Sequence, residues 1–364
     1  MNGSSSYFDL LLNPFGQPRT KNILKVNPTV LPERKEPETV HFYVYDFNGE
    51  ILKEDNPQTI EQCFSYKDSG NTSWINIGGI RRSDVEKVCQ YYDIHPLLIE
   101  DILSHGQRPK MDEVEGKLFC LLNMLYFNEN NSSVETEQIS IVLGPDYVLS
   151  FQEDDSRDVF NLLREKIRLP QHRIRQGKSD HLFYMLIDLI VDHYYLVMEK
   201  LSEKIELLEE EIIRNANKRS LARINQLRKE MIVLKRNIGP TRELVNGILR
   251  SESPLLQERT EKYFKDVYDH IVQANELAEN YRDMMMNLQD LYLSNVNLKM
   301  NEVMKVMAVV TCLLAPATVI GGMFGMNFDI IPFAHHGKGF FLACGVMFII
   351  PVLMLFIFRR RGWF

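Results

Sequence analysis

The sequence predicts an α+β membrane protein, in which an N-terminal mixed α/β domain is followed by long helices that end in a membrane hairpin. Three observations carry that expectation. Strand-like and helix-like patterns intermix up to about residue 175, two long stretches then lack glycine and proline, and two uncharged apolar runs lie near the C-terminus. The expected organisation is a tail at 1–37, a cytosolic α/β domain at 38–175 and an acidic helical hairpin at 176–250. A stalk helix at 255–326 follows, then a short external loop at 327–338, a second span at 339–358 and a basic tail at 359–364.

Within the first block, "TVHFYVYDF", "TSWINIGGI", "KLFCLLNMLYF", "TEQISIVLG" and "DYVLSFQ" are rich in β-branched and aromatic residues bounded by turn formers, and read as strands. "RRSDVEKVCQYY" and "HPLLIEDILSHG" read as helices, the second with Pro96 in its first turn. No Gly or Pro occurs between Gly177 and Gly239, which predicts a helical hairpin turning near "RNANKRS". Its carboxylate run, Glu203, Glu206, Glu209, Glu210 and Glu211, fits a solvated face.

A second such stretch runs from Pro254 to Pro316 and predicts one very long helix. Phe264, Val267, Ile271, Ala274, Ala278, Tyr281, Met285, Leu288 and Tyr292 recur at alternating spacings of three and four, a heptad stripe that needs lengthwise helical packing. No charged residue occurs from Val306 to Met326 or from Gly339 to Phe358, so each run has the roughly 20 residues that cross a bilayer core. Lys305 precedes the first run and Arg359, Arg360 and Arg361 follow the second, so the basic ends and both termini are expected in the cytosol.

The formal charge is −7, and residues 1–301 hold 37 basic against 47 acidic side chains. With no clustered basic face there, nucleic acid is not an expected partner. The cysteines at 63, 89, 120, 312 and 344 form no CxxC pair and read as reduced thiols. The N-terminal residues lack the basic and apolar regions of a signal peptide. No GxxxxGK[ST], HExxH or nucleophile-elbow pattern occurs, so an enzyme is not expected, nor an organic cofactor.

Two spans have no interior, so the hairpin is either a plain anchor or one part of an assembly of several copies. Carrying the three/four spacing upward places Asp290, Asn297, Asn301, Met304, Ala308, Thr311, Ala315, Thr318 and Gly322 on one face. Val309, Leu313, Val319 and Ile320 lie on the other, suited to a second helix or to lipid. Small residues also serve close helix packing, so the stripe alone leaves both readings open. In a symmetric oligomer the polar line becomes a stack of rings. Met304 and Met307 would then form an apolar constriction able to dewet, while the hydroxyl and amide rings offer dipoles to an ion. Asp290 is costly on such an axis unless a cation sits among its copies, and is otherwise an ordinary surface acid.

"FGMNF" after the first span, a short loop, a second span and the ending "FRRRGWF" resemble the CorA family of magnesium channels. "NEVMKVMAVV", Pro316 and "YFKDVYDH" strengthen the resemblance, which covers the chain apart from about residues 1–40. It implies a homopentameric funnel in a prokaryotic inner membrane, multi-pass, with a selectivity ring at Asn327 in a turn shaped by Gly325 and Met326. It further implies a pore hydroxyl at Thr318, an apolar gate at Met304 and Met307, and an acidic ring at Asp290. Regulatory Mg2+ would bind between protomers at Asp101 and Asp266, with Glu100 and Asp188 beside them.

Ala315 stands where the family can carry a larger apolar residue, so the pore is expected to be wider there. The external loop holds a single acid, Asp329, and His335 and His336 read as solvated loop residues. Mg2+ sheds water reluctantly, which suits a ring of amide oxygens that recognises the hydrated ion. The expected function is membrane-potential-driven Mg2+ uptake, with Co2+ passing and Ni2+ a further candidate. The expected partners are these ions, the lipid bilayer and copies of the same chain. The competing readings are a proton-coupled Zn2+ transporter of the same architecture, against which Met326 speaks by the resemblance, and a non-transporting coiled-coil scaffold held by the hairpin.

Overall fold

The computed structural model describes residues 36–326, 331–332 and 337–363. The strands are β1 (His41–Phe47), β2 (Leu52–Asp55), β3 (Thr72–Gly78), β4 (Lys110–Val114), β5 (Lys117–Asn128), β6 (Ser133–Leu143) and β7 (Tyr147–Gln152). The helices are α1 (Arg82–Tyr91), α2 (Pro96–Leu103), α3 (Asn161–Arg168), α4 (Ser179–Asn215), α5 (Lys218–Arg250), α6 (Glu258–Phe324) and α7 (Gly339–Arg360). They fall into two compact units, one of Met1–Ser202 with Arg228–Arg282 and one of Glu203–Leu227 with Asp283–Phe364.

The first unit is built on a seven-stranded sheet of order β2-β1-β3-β7-β6-β5-β4. Only the β3–β7 pair is parallel, and every other neighbouring pair is antiparallel. One face packs Phe42, Val44, Ile75, Ile77, Phe119 and Leu149 against Val85, Val88 and Cys89 of α1, Leu98 and Ile102 of α2, and the 3₁₀ helix Ile60–Tyr66. On the other face Phe160, just ahead of α3, sets its ring edge-on to Trp74 at 5.8 Å. Tyr194 of α4 donates to the Asn123 carbonyl (2.8 Å), and the Asn123 side chain donates to Asn237 of α5 (2.8 Å). Helices on both faces of a sheet exclude water from nearly every inward side chain, the usual reason a layered fold is stable.

The five strands expected from sequence are present, and two more border them. β2 (LKED) and β4 (KMDEV) are the two edges of the sheet, short and strongly charged, so they carry no apolar alternation that a sequence reading could detect. α3 is also additional, eight residues held at its start by Asp158, which accepts from the Phe160 amide at 2.8 Å and pairs with Arg164.

In the first unit, the part of α6 from Phe264 to Tyr281 buries its heptad stripe, with Phe264, Val267, Ile271 and Ala274 fully enclosed. In the second unit Met285, Leu288 and Tyr292 continue as buried residues. The turn between α4 and α5 lies in that unit. Asn217 Oδ1 accepts from the amides of Arg219 (2.8 Å) and Ser220 (3.2 Å), as an N-cap residue does, and Lys299 of α6 donates to Asn215 Oδ1 at 2.5 Å.

Among the described residues three helices are long and apolar enough to span a bilayer, but they differ in what already covers them. The most apolar window of α4 is 56% buried within the protein, whereas those of α6 and α7 are each 6% buried. The apolar surface of α4 is spent on the core through Leu186, Ile187, Ile190 and Val191. The ends of α6 and α7 have no such cover, and lipid is the medium that suits them.

Candidate ion pathway and cation cluster

α6 meets α7 along one side only. Val309 is buried, Lys305, Cys312, Leu313, Pro316 and Ile320 are half-buried, and a Cβ on Gly321 would lie 3.8 Å from Met347 of α7. Lys305 donates to the Gly362 carbonyl at 3.2 Å and sits over the Trp363 ring, tying the start of the first span to the end of the second. Val319, expected on this side from sequence, is exposed.

The side of α6 turned away from α7 is open along its length. Asp290, Asn297, Asn301, Met304, Met307, Ala308, Thr311, Ala315, Thr318 and Gly322 are all exposed in the single chain. Two bonds determine the chemistry of that face. Thr311 Oγ1 donates to the Met307 carbonyl at 2.9 Å, and Thr318 Oγ1 donates to the Leu314 carbonyl at 3.1 Å. Each hydroxyl proton is consumed by its own helix, so what each oxygen still offers is lone pairs. A face of acceptors suits a ligand whose outer surface is water hydrogens, as that of a hydrated cation is.

Above Thr318 the helix closes through Gly325, whose amide donates to the carbonyls of Gly321 (3.0 Å) and Gly322 (3.2 Å), and Met326, which donates to the Met323 carbonyl at 3.4 Å. Asn327, Asp329, His335 and His336 lie outside the described residues.

The acids expected to regulate the protein sit in different settings. Asp101, near the end of α2, accepts from Lys110 Nζ at 2.6 Å and from Gln107 Nε2 at 3.0 Å, so both of its oxygens are engaged within the chain. Glu100 and Asp266 are exposed. Asp188 of α4 is half-buried, and its carboxyl is pushed up to about 6 by burial and by the neighbouring charge of Asp192, opposed by the hydrogen bond from Tyr184 (3.1 Å). Asp266 adds a smaller push in the same direction, which places it near Asp188.

Sequence reasoning missed Asp192 and His270, whose ligand atoms lie with that of Asp188 within 4.8 Å of one another. The signal was present as two i,i+4 pairs, Asp188/Asp192 and Asp266/His270, each on one helix face. Nothing in the sequence says that the two faces meet.

Residues 69–360 match the family described as CorA-like Mg2+ transporter protein. The cobalt/magnesium transport protein CorA of Thermotoga maritima is 37% identical over 336 residues, covering 92% of this chain and 95% of that one. Among solved structures, the complete CorA magnesium transporter from Methanocaldococcus jannaschii superposes with a TM-score of 0.73 at 22% identity, over 90% of this chain and 100% of that one. The full-length CmaX protein gives 0.66 at 17% identity over 91% of this chain and 100% of that one. At those identities the two structures speak to the fold.

Proposed function

The chain belongs to the CorA-like Mg2+ transporter family, and from that membership we propose that it is a homopentameric uptake channel for hydrated Mg2+ that also passes Co2+. It would sit in a prokaryotic inner membrane with both termini in the cytoplasm. The observation that carries the reading is the open face of α6, where Thr311 and Thr318 present acceptor oxygens on the side away from α7. Five such faces turned toward a common axis give rings of acceptors that can hold the water shell of the ion without stripping it.

Entry begins at Asn327, whose amide oxygens bind water ligands and release them, where carboxylates would hold the ion too long. Gly325 and Met326 form the turn that presents this ring, with Asp329 in the loop beyond it. The ion then passes Gly322, Thr318, Ala315, Thr311 and Ala308 to the apolar constriction at Met304 and Met307. Beneath that constriction Asn301, Asn297 and Asp290 receive it. The membrane potential supplies about 2.3 kcal/mol per charge per 100 mV, and so about 4.6 kcal/mol for a divalent ion, without nucleotide hydrolysis.

Closure follows when cytosolic Mg2+ bridges Asp101 of one protomer and Asp266 of the next, with Glu100 and Asp188 adding negative charge nearby. The Lys110–Asp101 pair refines this step, because a bridging cation competes with the ammonium for the same oxygens. When Mg2+ falls, Lys110 recovers Asp101 and the boundary loosens.

A proton-coupled Zn2+ transporter of the same architecture is not favoured, given a 37%-identical relative that is a cobalt/magnesium transport protein. Ion flux into proteoliposomes tests the channel. Purified protein should pass Mg2+ down its gradient, and Asn327→Ala should lower Mg2+ flux and selectivity; unchanged flux and selectivity in that variant would remove the assigned filter. Asp266→Lys should blunt inhibition by internal Mg2+, and intact inhibition would count against the boundary site.

A further inference from the structure

We propose that the outward face of α7 binds an anionic phospholipid of the surrounding bilayer, its acyl chains in an apolar groove and its phosphate on the arginines at the helix end. The site goes beyond the proposed channel, and takes from that reading only the bilayer and the direction in which the pore face of α6 points.

The groove is defined by the side of α7 that is already occupied. Ala343 is buried, and Met347, Pro351, Met354 and Phe358 are half-buried, at spacings of four, four, three and four, so they form the seam toward α6. Phe348, Ile349, Val352, Leu353 and Phe356 line a groove on the opposite side, and all five are exposed. The side of α6 proposed to face the pore is likewise turned away from α7. The groove therefore lies across the hairpin from the pore, where lipid is the adjoining medium.

Charge completes the match. From Ile349 through Leu353 and Phe356, the next three/four step reaches Arg360, whose guanidinium lies over the Phe356 ring at 5.4 Å from its centroid. The cation is thereby aligned with one end of the groove. Arg359 flanks that end, and neither arginine pairs with a carboxylate among the described residues. The backbone stops the helix at this level. Gly362, at φ +68°, donates to the Arg359 carbonyl at 3.2 Å, and Trp363 donates to the Phe358 carbonyl at 3.0 Å, the paired bonds of a Schellman motif. With the Trp363 ring stacked on Phe358 at 5.1 Å, that stop sets the depth at which the guanidinium groups leave the apolar run.

These positions fit one class of lipid. Leu353 is seven residues from Arg360, roughly 10 Å along the axis, so an acyl chain descending from a phosphate at Arg360 lies beside it. A zwitterionic headgroup neutralises its phosphate with its own ammonium, whereas an anionic phosphodiester keeps its charge for the arginines. Basic residues beside a span also serve topology alone, a role that needs no preference between lipids.

The test places a reporter in the groove. Full-length Leu353→Trp, a change at an exposed apolar position, is reconstituted in phosphatidylcholine vesicles containing brominated phosphatidylglycerol or brominated phosphatidylcholine. Quenching of its fluorescence is read against that of the parent protein, whose Trp74 and Trp363 supply the background. The anionic lipid should quench at about fivefold lower mole fraction than the zwitterionic one, and Arg360→Gln in the same protein should bring the two together. Equal quenching by both lipids, or a preference that survives Arg359→Gln and Arg360→Gln together, would leave the arginines a topological role only and overturn the proposal. Quenching by neither lipid would mean that a neighbouring copy covers the groove, and overturns it as well. Mg2+ flux in the same vesicles reports on the channel separately, since a pore that passes nothing leaves the quenching preference unaltered.

Discussion

The two ends of α6 obey opposite rules although they belong to one helix. From Phe264 to Tyr292 the apolar residues face inward at heptad spacing and the charged ones face out, as water demands. From Val306 to Phe324 large apolar side chains such as Val310, Val319 and Met323 point outward and the run holds no charge, while the hydroxylated residues Thr311 and Thr318 lie on one line. The same backbone thus serves two solvents. A side chain's consequence depends on which one it meets, and substitution can expose the change of rule.

The largest effect is expected where the helix is enclosed. Phe264 is fully buried, so Phe264→Ala should cost about 3–5 kcal/mol, read as a lowered denaturant midpoint, through lost burial and the cavity left behind. Val310→Ala, at an exposed position of the apolar run away from that line, should lower that midpoint far less. Equal losses at the two positions would break the comparison. Next in size is a charge on the lipid side. Val310→Arg should carry an insertion penalty of about 2.5–3.5 kcal/mol, seen as reduced membrane-integrated protein after carbonate extraction. Full integration would mean that this side of α6 does not face lipid.

The smallest effect concerns the sheet of the first unit. Glu137 on β6 is buried, and burial pushes its carboxyl up to about 7 from the ordinary value near 4.5, with the Asp154 amide (3.1 Å) and the Tyr126 hydroxyl (2.8 Å) opposing the rise. An acid whose folded value is raised binds more protons folded than unfolded. Its destabilising contribution is therefore absent below about pH 4.5, grows as pH climbs, and is complete above about pH 7. Glu137→Gln keeps an oxygen for the Asp154 amide, turns its NH2 toward the Tyr126 hydroxyl oxygen, and should raise thermal stability by about 1–2 kcal/mol at pH 8 while changing little at pH 4.5. A gain of equal size at both values would remove burial of the charge as its cause.

These regions were not equally legible in the sequence. β1, β3, β5, β6 and β7 could be read because interior strands must be apolar or β-branched, and the stripe on α6 because spacing alone defines a helix face. β2, β4 and the eight residues of α3 could not, since charged edges and about two amphipathic turns carry no periodicity long enough to recognise. The same distinction governs the candidate functional residues. The line from Asp290 to Gly322 lies on one helix and is a one-dimensional pattern, so spacing placed it. Asp192 and His270 come together only when α4 and α6 pack, and no local signal reports a meeting between distant segments.

The charged edges of the sheet have a consequence for assembly. The proposed ring of five copies would hold five identical sheets at an effective concentration near the millimolar range, where unpaired edge strands would readily find one another. Lys53, Glu54 and Asp55 on one edge and Lys110, Asp112 and Glu113 on the other make strand-to-strand fusion unfavourable, since joining copies would desolvate these charges and crowd like against like. In the proposed assembly, copies would thereby be steered to meet through helices and loops, contacts that can slide and reset. A sheet continuous across the ring would be a permanent weld, unable to respond to an ion that comes and goes.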